Sequence, residues 1–233
     1  MSVYAGPNIT EDGLIYCIDA FNSKSYPGTG TAVTGLIGSN NATLGANTTY
    51  SSSGYFQLDA TSASQIATSG TTYPSTWAEP VSYEVWAYFD GDGTWHNGYA
   101  GALFARGSTA GTLGLVRRNS NNSIGMWIRS DSGATNPAAT ITPNTWCHIV
   151  GTWNGTNTIA VYLNGVIGGS QSHTATGSPD VGNYGIGGIN STLSGAAGNY
   201  MKGRIAIAKM YNKALTAEEI ERNFYANRSR FGI

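Results

Sequence analysis

Charge is the scarcest commodity in this sequence: Lys, Arg, Asp and Glu make up 11% of its 233 residues, against about 25% in an average soluble domain. Twelve basic and thirteen acidic side chains leave a formal net charge of -1. That is too little to neutralise several phosphates at once, so nucleic acid and anionic membrane surfaces are excluded as electrostatic partners. Seven of the basic residues, Lys202, Arg204, Lys209, Lys213, Arg222, Arg228 and Arg230, lie near the C-terminus, where they read as solvated strand and helix faces followed by a basic tail. Cysteine is nearly absent. Cys17 and Cys147 both stand in apolar strand-like runs and are expected as small buried residues, which leaves the redox compartment open. No apolar run reaches 18 residues and no basic-then-apolar leader is visible, so neither membrane insertion nor a secretory signal is expected. The Asn-X-Ser/Thr triplets then read as accidents of composition.

What the sequence does have is turn chemistry and strand formers. Its 32 glycines follow no three-residue period, which excludes collagen, and they cluster with Asn and Ser between apolar runs. Between Trp146 and Val166, Asn-Gly pairs at 154/155 and 164/165 separate runs rich in Trp, Ile, Val, Tyr and Leu, the pattern of a three-stranded meander with two tight hairpins. Val81 to Phe89 alternates Tyr83, Val85, Ala87 and Phe89 with Ser82, Glu84, Trp86 and Tyr88. Aromatics on both faces predict a central strand covered on both sides. Further strands are expected at 13–21, 55–59, 65–67, 101–106, 111–118, 123–129 and 203–211, with a long surface excursion over 27–54. One helix is expected at about 216–226. Thr216 and Glu219 form a capping box, Leu215 and Ile220 a hydrophobic staple, and Ile220 with Phe224 an apolar stripe for docking on the sandwich. The predicted architecture is all-β, a two-layer antiparallel sandwich with one short C-terminal helix, in which an arm (1–12) and a tail (227–233) flank a single domain (13–226).

Chemistry-bearing constellations are thin. Asp90-Gly-Asp-Gly-Thr-Trp-His-Asn97 begins like a calcium loop, yet Thr94, Trp95 and Gly101 stand where an EF-hand needs an acid or amide, Gly and Glu. The pattern therefore reads as a turn, with Asp90, Asp92 and Asn97 as ligands of a looser calcium site and no other cofactor expected. Trp95, His96 and Tyr99 in that loop, with Tyr184, are candidates for contact with a sugar face, set against simple packing of the loop. His96, His148 and His173 lack zinc spacing and default to structural roles. No nucleophile elbow occurs, and Gly182 to Asn190 lacks the third glycine and the strand-helix context of a dinucleotide loop.

Three pieces carry a family resemblance: Ser82-Tyr-Glu-Val-Trp-Ala-Tyr-Phe89, the meander Trp146 to Gly165, and the closing Gly203 to Ile220. Together they resemble the laminin-G-like, concanavalin A-type jelly-roll superfamily. The terminal segments Asp12 to Gly30 and Asn223 to Ile233 resemble the subgroup found in bacteriophage virion structural proteins. The resemblance implies a non-enzymatic virion component that decorates a capsid or tail. Its partners would be other virion proteins and a host-surface glycan, its state a homo-oligomer, and Arg228, Arg230 and Phe231 would act as assembly tethers. The alternative it implies is a free carbohydrate-binding lectin-like module, and third a glycoside hydrolase or lyase. Glucanases of this fold set paired carboxylates on one strand, whereas Glu84 stands alone here, followed by Trp86 and Tyr88. Where relatives often carry an acidic pair before the closing helix, this chain has Ala206 and Ile207.

Overall fold

The computed structural model describes residues 7–38, 40–61, 64–69, 73–91, 101–106, 112–118, 122–130, 132–180, 182–188 and 200–233. Among them the chain forms seventeen strands and one helix. The first six strands are β1 Leu14–Asp19, β2 Ala32–Val33, β3 Ala42–Leu44, β4 Thr49–Ser51, β5 Tyr55–Asp59 and β6 Ile66–Thr68. The next six are β7 Val81–Phe89, β8 Gly101–Arg106, β9 Thr112–Arg118, β10 Ser123–Ser130, β11 Gly133–Thr135 and β12 Ala138–Thr140. Then come β13 Trp146–Trp153, β14 Thr158–Leu163, β15 Val166–Ser172, β16 Gly185–Ile186, β17 Lys202–Tyr211 and the helix α1 Ala217–Phe231.

The strands fall into two antiparallel sheets packed face to face, as the sequence predicts. The helix-side sheet has the order β15-β14-β13-β7-β17-β5-β4, with β1 also paired to β17. The far sheet runs β11-β10-β9-β8-β16-β6-β3-β2, with β12 also paired to β10. Strand β7 is central: Val81, Tyr83, Val85, Ala87 and Phe89 enter the core between the sheets, while Trp86 packs beneath α1. Both faces are covered because α1 supplies a third layer over this part of the sheet. Inside, Tyr83 lies 5.3 Å and Tyr184 5.4 Å from the Phe104 ring, both tilted or edge-on. Each large aromatic buried in this way contributes about 1.5–3 kcal/mol.

The two Asn-Gly pairs behave differently. Asn164 and Gly165 adopt φ of 51° and 82° and join β14 to β15 in two residues, as a type I′ hairpin requires. Asn154 instead turns its side chain inward, and its Oδ1 accepts amide hydrogens from Thr156, Asn157 and Thr158, each at 2.9 Å. The loop is therefore four residues long rather than a tight pair, because an Asx contact satisfies the backbone that a two-residue turn would have paired across the strands.

Strand β17 carries a bulge at Ala206: Ile205 sits opposite Ala87 and Ile207 opposite Trp86. One extra residue is thus inserted against β7, and Ala206 and Ile207 both face the helix. On its other edge β17 pairs with β5 through 202–205 and with β1 through 207–211.

Helix α1 starts as its sequence demands, with Thr216 and Glu219 in a reciprocal capping box. It runs on to Phe231 rather than ending near 226, because nothing breaks it before Gly232, which caps it at φ 72°. Cys17 and Cys147 are both free and buried. Strands β17 and β7 separate them, about 14 Å at the usual strand spacing, and a disulfide spans less than half of that. Among the described residues no helix is long and apolar enough to cross a membrane.

Candidate functional site

Four strands of the helix-side sheet present their outward side chains in register, and α1 covers only part of that surface. Beneath the helix lies a charged centre. Glu84 on β7 is fully buried and its carboxylate accepts from Lys209 Nζ at 2.7 Å, Tyr211 Oη at 3.1 Å and Asn223 Nδ2 at 2.7 Å. His148 Nε2 lies 3.2 Å from Glu84 Oε1, but at an angle that makes no hydrogen bond, and neither ring nitrogen has a hydrogen-bond partner. Burial alone would raise the Glu84 carboxyl, yet the Lys209 ammonium and the His148 ring together hold it well below the usual carboxylate range. Asn223 comes from α1 and also accepts the Thr10 amide at 2.7 Å, so one carboxylate ties two strands, the helix and the N-terminal segment together. Above it, Trp86 is stacked between Phe231 at 4.2 Å and Phe224 at 6.0 Å. A carboxylate so enclosed anchors the helix.

Towards the end of α1 the same surface is only half-covered, and Trp146 there packs against Phe231 of the helix at 4.8 Å. Pairing registers place Trp146 opposite Tyr88, Tyr88 opposite Arg204 and Arg204 opposite Gln57, one residue from each of β13, β7, β17 and β5. All four are half-buried, as is Tyr55 two residues along β5. The Trp146 ring stands edge-on to Tyr88 at 5.8 Å and to Tyr55 at 6.0 Å. The Arg204 guanidinium lies 4.2 Å above the Tyr88 ring and 5.1 Å from that of Tyr55, a cation-π seat that fixes its plane. Its Nε donates to Gln57 Oε1 at 3.2 Å, and Gln57 Nε2 in turn donates to Asp90 Oδ2 at 2.8 Å and Gly203 O at 3.1 Å. Among the described residues no carboxylate pairs with Arg204. Three aromatic rings and an oriented hydrogen-bonding fork on a rigid sheet are the parts of a small-molecule contact surface.

A third cluster closes one end of the sandwich. Ser132 donates to the Thr174 carbonyl, and the Ser130 and Ser132 hydroxyls are 2.8 Å apart. Because the one proton of Ser132 is spent on Thr174, Ser130 must donate to Ser132. His173 Nε2, 3.1 Å from Ser130, must then donate to Ser130, leaving Nδ1 to accept from Thr135 at 2.8 Å. This direction leaves Ser130 facing a proton rather than a base, so the arrangement is a latch and not an activated nucleophile. Burial lowers the His173 pKa, in keeping with a neutral ring.

The residues anticipated from sequence fare unevenly. Trp95, His96, Tyr99, Asp92 and Asn97 lie outside the described residues. Tyr184, expected to stack on a sugar, is fully buried in the core, where it shares a 2.7 Å hydrogen bond with Tyr83 Oη and donates to Tyr73 O at 2.8 Å. It immediately precedes strand β16, which pairs on both sides, and its ring is packed against Tyr83 and Phe104. Asp90 is half-buried and holds Gln57; among the described residues no group of three or more His, Cys, Asp or Glu would hold a metal. Arg228 lies over the Phe224 and Tyr225 rings. Arg230 grips both Asp19 oxygens at 2.9 Å and the Gly54 carbonyl at 3.0 Å. Phe231 stacks on Trp86, so Arg230 and Phe231 are engaged within their own chain. The half-buried row was missed in the sequence, where the alternation that sets Trp86 with Tyr88 was its only signal.

A family model described as the concanavalin A-like lectin/glucanases superfamily matches residues 60–221. Among solved structures, Trypanosoma rangeli sialidase in complex with 2,3-difluorosialic acid is similar with a TM-score of 0.69 at 16% identity, over 97% of this chain and 35% of that one. The botulinum neurotoxin serotype D binding domain gives 0.68 at 17%, over 91% and 50%. The binding domain of Paraclostridial Mosquitocidal Protein 1 gives 0.69 at 15%, over 91% and 52%. The chain thus spans from about a third to about half of these relatives in fold. No curated protein matches it.

Proposed function

The chain belongs to the concanavalin A-like lectin/glucanases superfamily, and from that premise we propose that it is a carbohydrate-binding, lectin-like domain that works without catalysis. Its contact surface is the half-buried row of Tyr55, Tyr88, Trp146 and Arg204. The observation that carries this is one oriented guanidinium seated on two half-buried tyrosine rings, with the Trp146 ring edge-on to both tyrosines. Rings offer apolar faces to the C–H face of a sugar, and the fork and the Gln57 amide offer hydrogen bonds to its oxygens. Fold neighbours that include a sialidase and toxin binding domains, one solved with N-acetylneuraminic acid, agree with this reading.

A glycan array probed with the intact protein and with Trp146→Ala and Tyr55→Ala tests it. Selective binding that both substitutions weaken, while thermal melting shows that the variants remain folded, is the expected result. Absence of binding to any glycan would end the proposal, and turnover of a bound glycan would end its non-catalytic part. Display on a virion is the finer part, supported by the resemblance of the terminal segments alone. Recovery of the chain from purified particles by mass spectrometry tests it.

A further inference from the structure

We propose that Arg204 makes this surface selective for acidic sugars, seating the carboxylate of one residue on its two terminal nitrogens. The inference rests on reading the row as a saccharide platform and adds the ligand's charge. Three features of the row point to it.

The first is what Arg204 has already spent. Of its donors, Nε is committed to Gln57 Oε1, and no hydrogen bond within the described residues occupies Nη1 or Nη2. The second is neutralisation. Lys209, on the same strand and the same face, has a carboxylate at 2.7 Å, and Arg230 has one at 2.9 Å. The carboxylate closest to Arg204 along the hydrogen-bond chain is Asp90, which is joined to it only through the Gln57 amide. Lys202 projects on the same face, opposite Asp59, whose carboxylate accepts from the Thr61 amide and hydroxyl. The third is rigidity. The Tyr88 ring at 4.2 Å and the Gln57 amide fix the plane of the guanidinium, and Gln57 is itself held by Asp90, Leu58 and Gly203. A planar fork of fixed orientation matches the two oxygens of a carboxylate, which favours it over a lone hydroxyl. The three aromatic rings beside it give the pyranose ring of the same residue an apolar seat.

The test uses the intact protein on an array that carries uronate- and nonulosonate-containing glycans, their methyl esters, sulfated glycans and neutral glycans. Titration calorimetry on the binders then compares the parent with Arg204→Gln, Arg204→Lys and Trp146→Ala. Carboxylated glycans should lead, and methyl esterification and Arg204→Gln should each weaken them about tenfold. The ester should be indifferent to Arg204→Gln, because both changes remove the same bond. Arg204→Lys should also weaken binding, since it keeps the charge and loses the fork. Trp146→Ala should weaken acidic and neutral glycans alike. Binding without carboxylate preference, or a parent and an Arg204→Gln variant of equal affinity, would overturn this inference and leave the saccharide reading standing. Sulfated glycans that outcompete the uronates would overturn the carboxylate assignment. Silence across the whole array would remove both.

Discussion

Lys209 and Arg204 stand five residues apart on one strand, project from the same face of the same sheet, and meet opposite fates. Lys209 lies under α1, almost fully buried, in contact with Glu84 and shielded from water. Arg204 lies beyond the helix, half-buried, stacked on tyrosine and bound to no carboxylate among the described residues. A charge removed from water has to be matched inside the protein, and that match is structural. A charge held at the border, desolvated on one side only, is oriented without being cancelled. In the reading proposed above, the helix draws the line between stabilising the fold and meeting a ligand, and each of the following measurements tests where that line falls.

The largest effect belongs to the covered side. Glu84→Ala leaves Lys209 buried without its partner, and chemical denaturation should show a loss of about 3–5 kcal/mol. Glu84→Leu combined with Lys209→Met should recover much of it, since the pair is replaced by apolar volume. A marginal loss in Glu84→Ala would mean that water reaches the centre and the contrast fails. Next is Asn223→Ala, which removes the helix's own bond to Glu84 and should cost about 1–3 kcal/mol. Arg204→Gln should leave unfolding within about 0.5 kcal/mol of the parent while it changes glycan affinity. An equal loss of stability would move Arg204 to the covered side of the line. Thr216→Ala removes the cap and should cost about 1 kcal/mol, with amide exchange rising first in the opening turn of α1.

Dependence on pH is the finest probe. Burial lowers the folded pKa of His173 below its ordinary 6.5, so the unfolded chain takes up the proton first. The latch therefore contributes fully above pH 6.5 and is lost as pH falls from there through the folded value. Glu84, depressed from 4.5, contributes above that value and is lost only in stronger acid. Melting temperatures across pH 2 to 8 should show a shallow step below pH 6.5 that disappears in His173→Gln, and a deeper fall below pH 4.5 that disappears in Glu84→Leu with Lys209→Met.

Much of this architecture was legible because local chemistry wrote it. Strand β7 begins and ends where alternation places it, the capping box opens α1, and Asn164-Gly165 turns the second hairpin. What escaped depends on which strands become neighbours. Trp146, Tyr88, Arg204 and Gln57 are drawn from four separate segments, and only the order β13-β7-β17-β5 makes them a row. Tyr184 looked available because it stands among glycines, yet the two-residue strand that follows it is threaded between β6 and β8 and the ring is fully buried. Asn154 resembled Asn164 in sequence and differed because its own side chain captured the turn.

The bulge at Ala206 reaches further than its single residue suggests. In an uninterrupted strand, an even-numbered and an odd-numbered position point to opposite sides, so residues 204 and 209 could not both look outward. The inserted residue shifts the count by one midway along β17, and both cations emerge on the helix side. Deleting Ala206 would force a choice of parity, with either the guanidinium or the ammonium turned into the apolar interior. The buried cation and the half-buried one thus share one face of one strand because its phase is broken once between them.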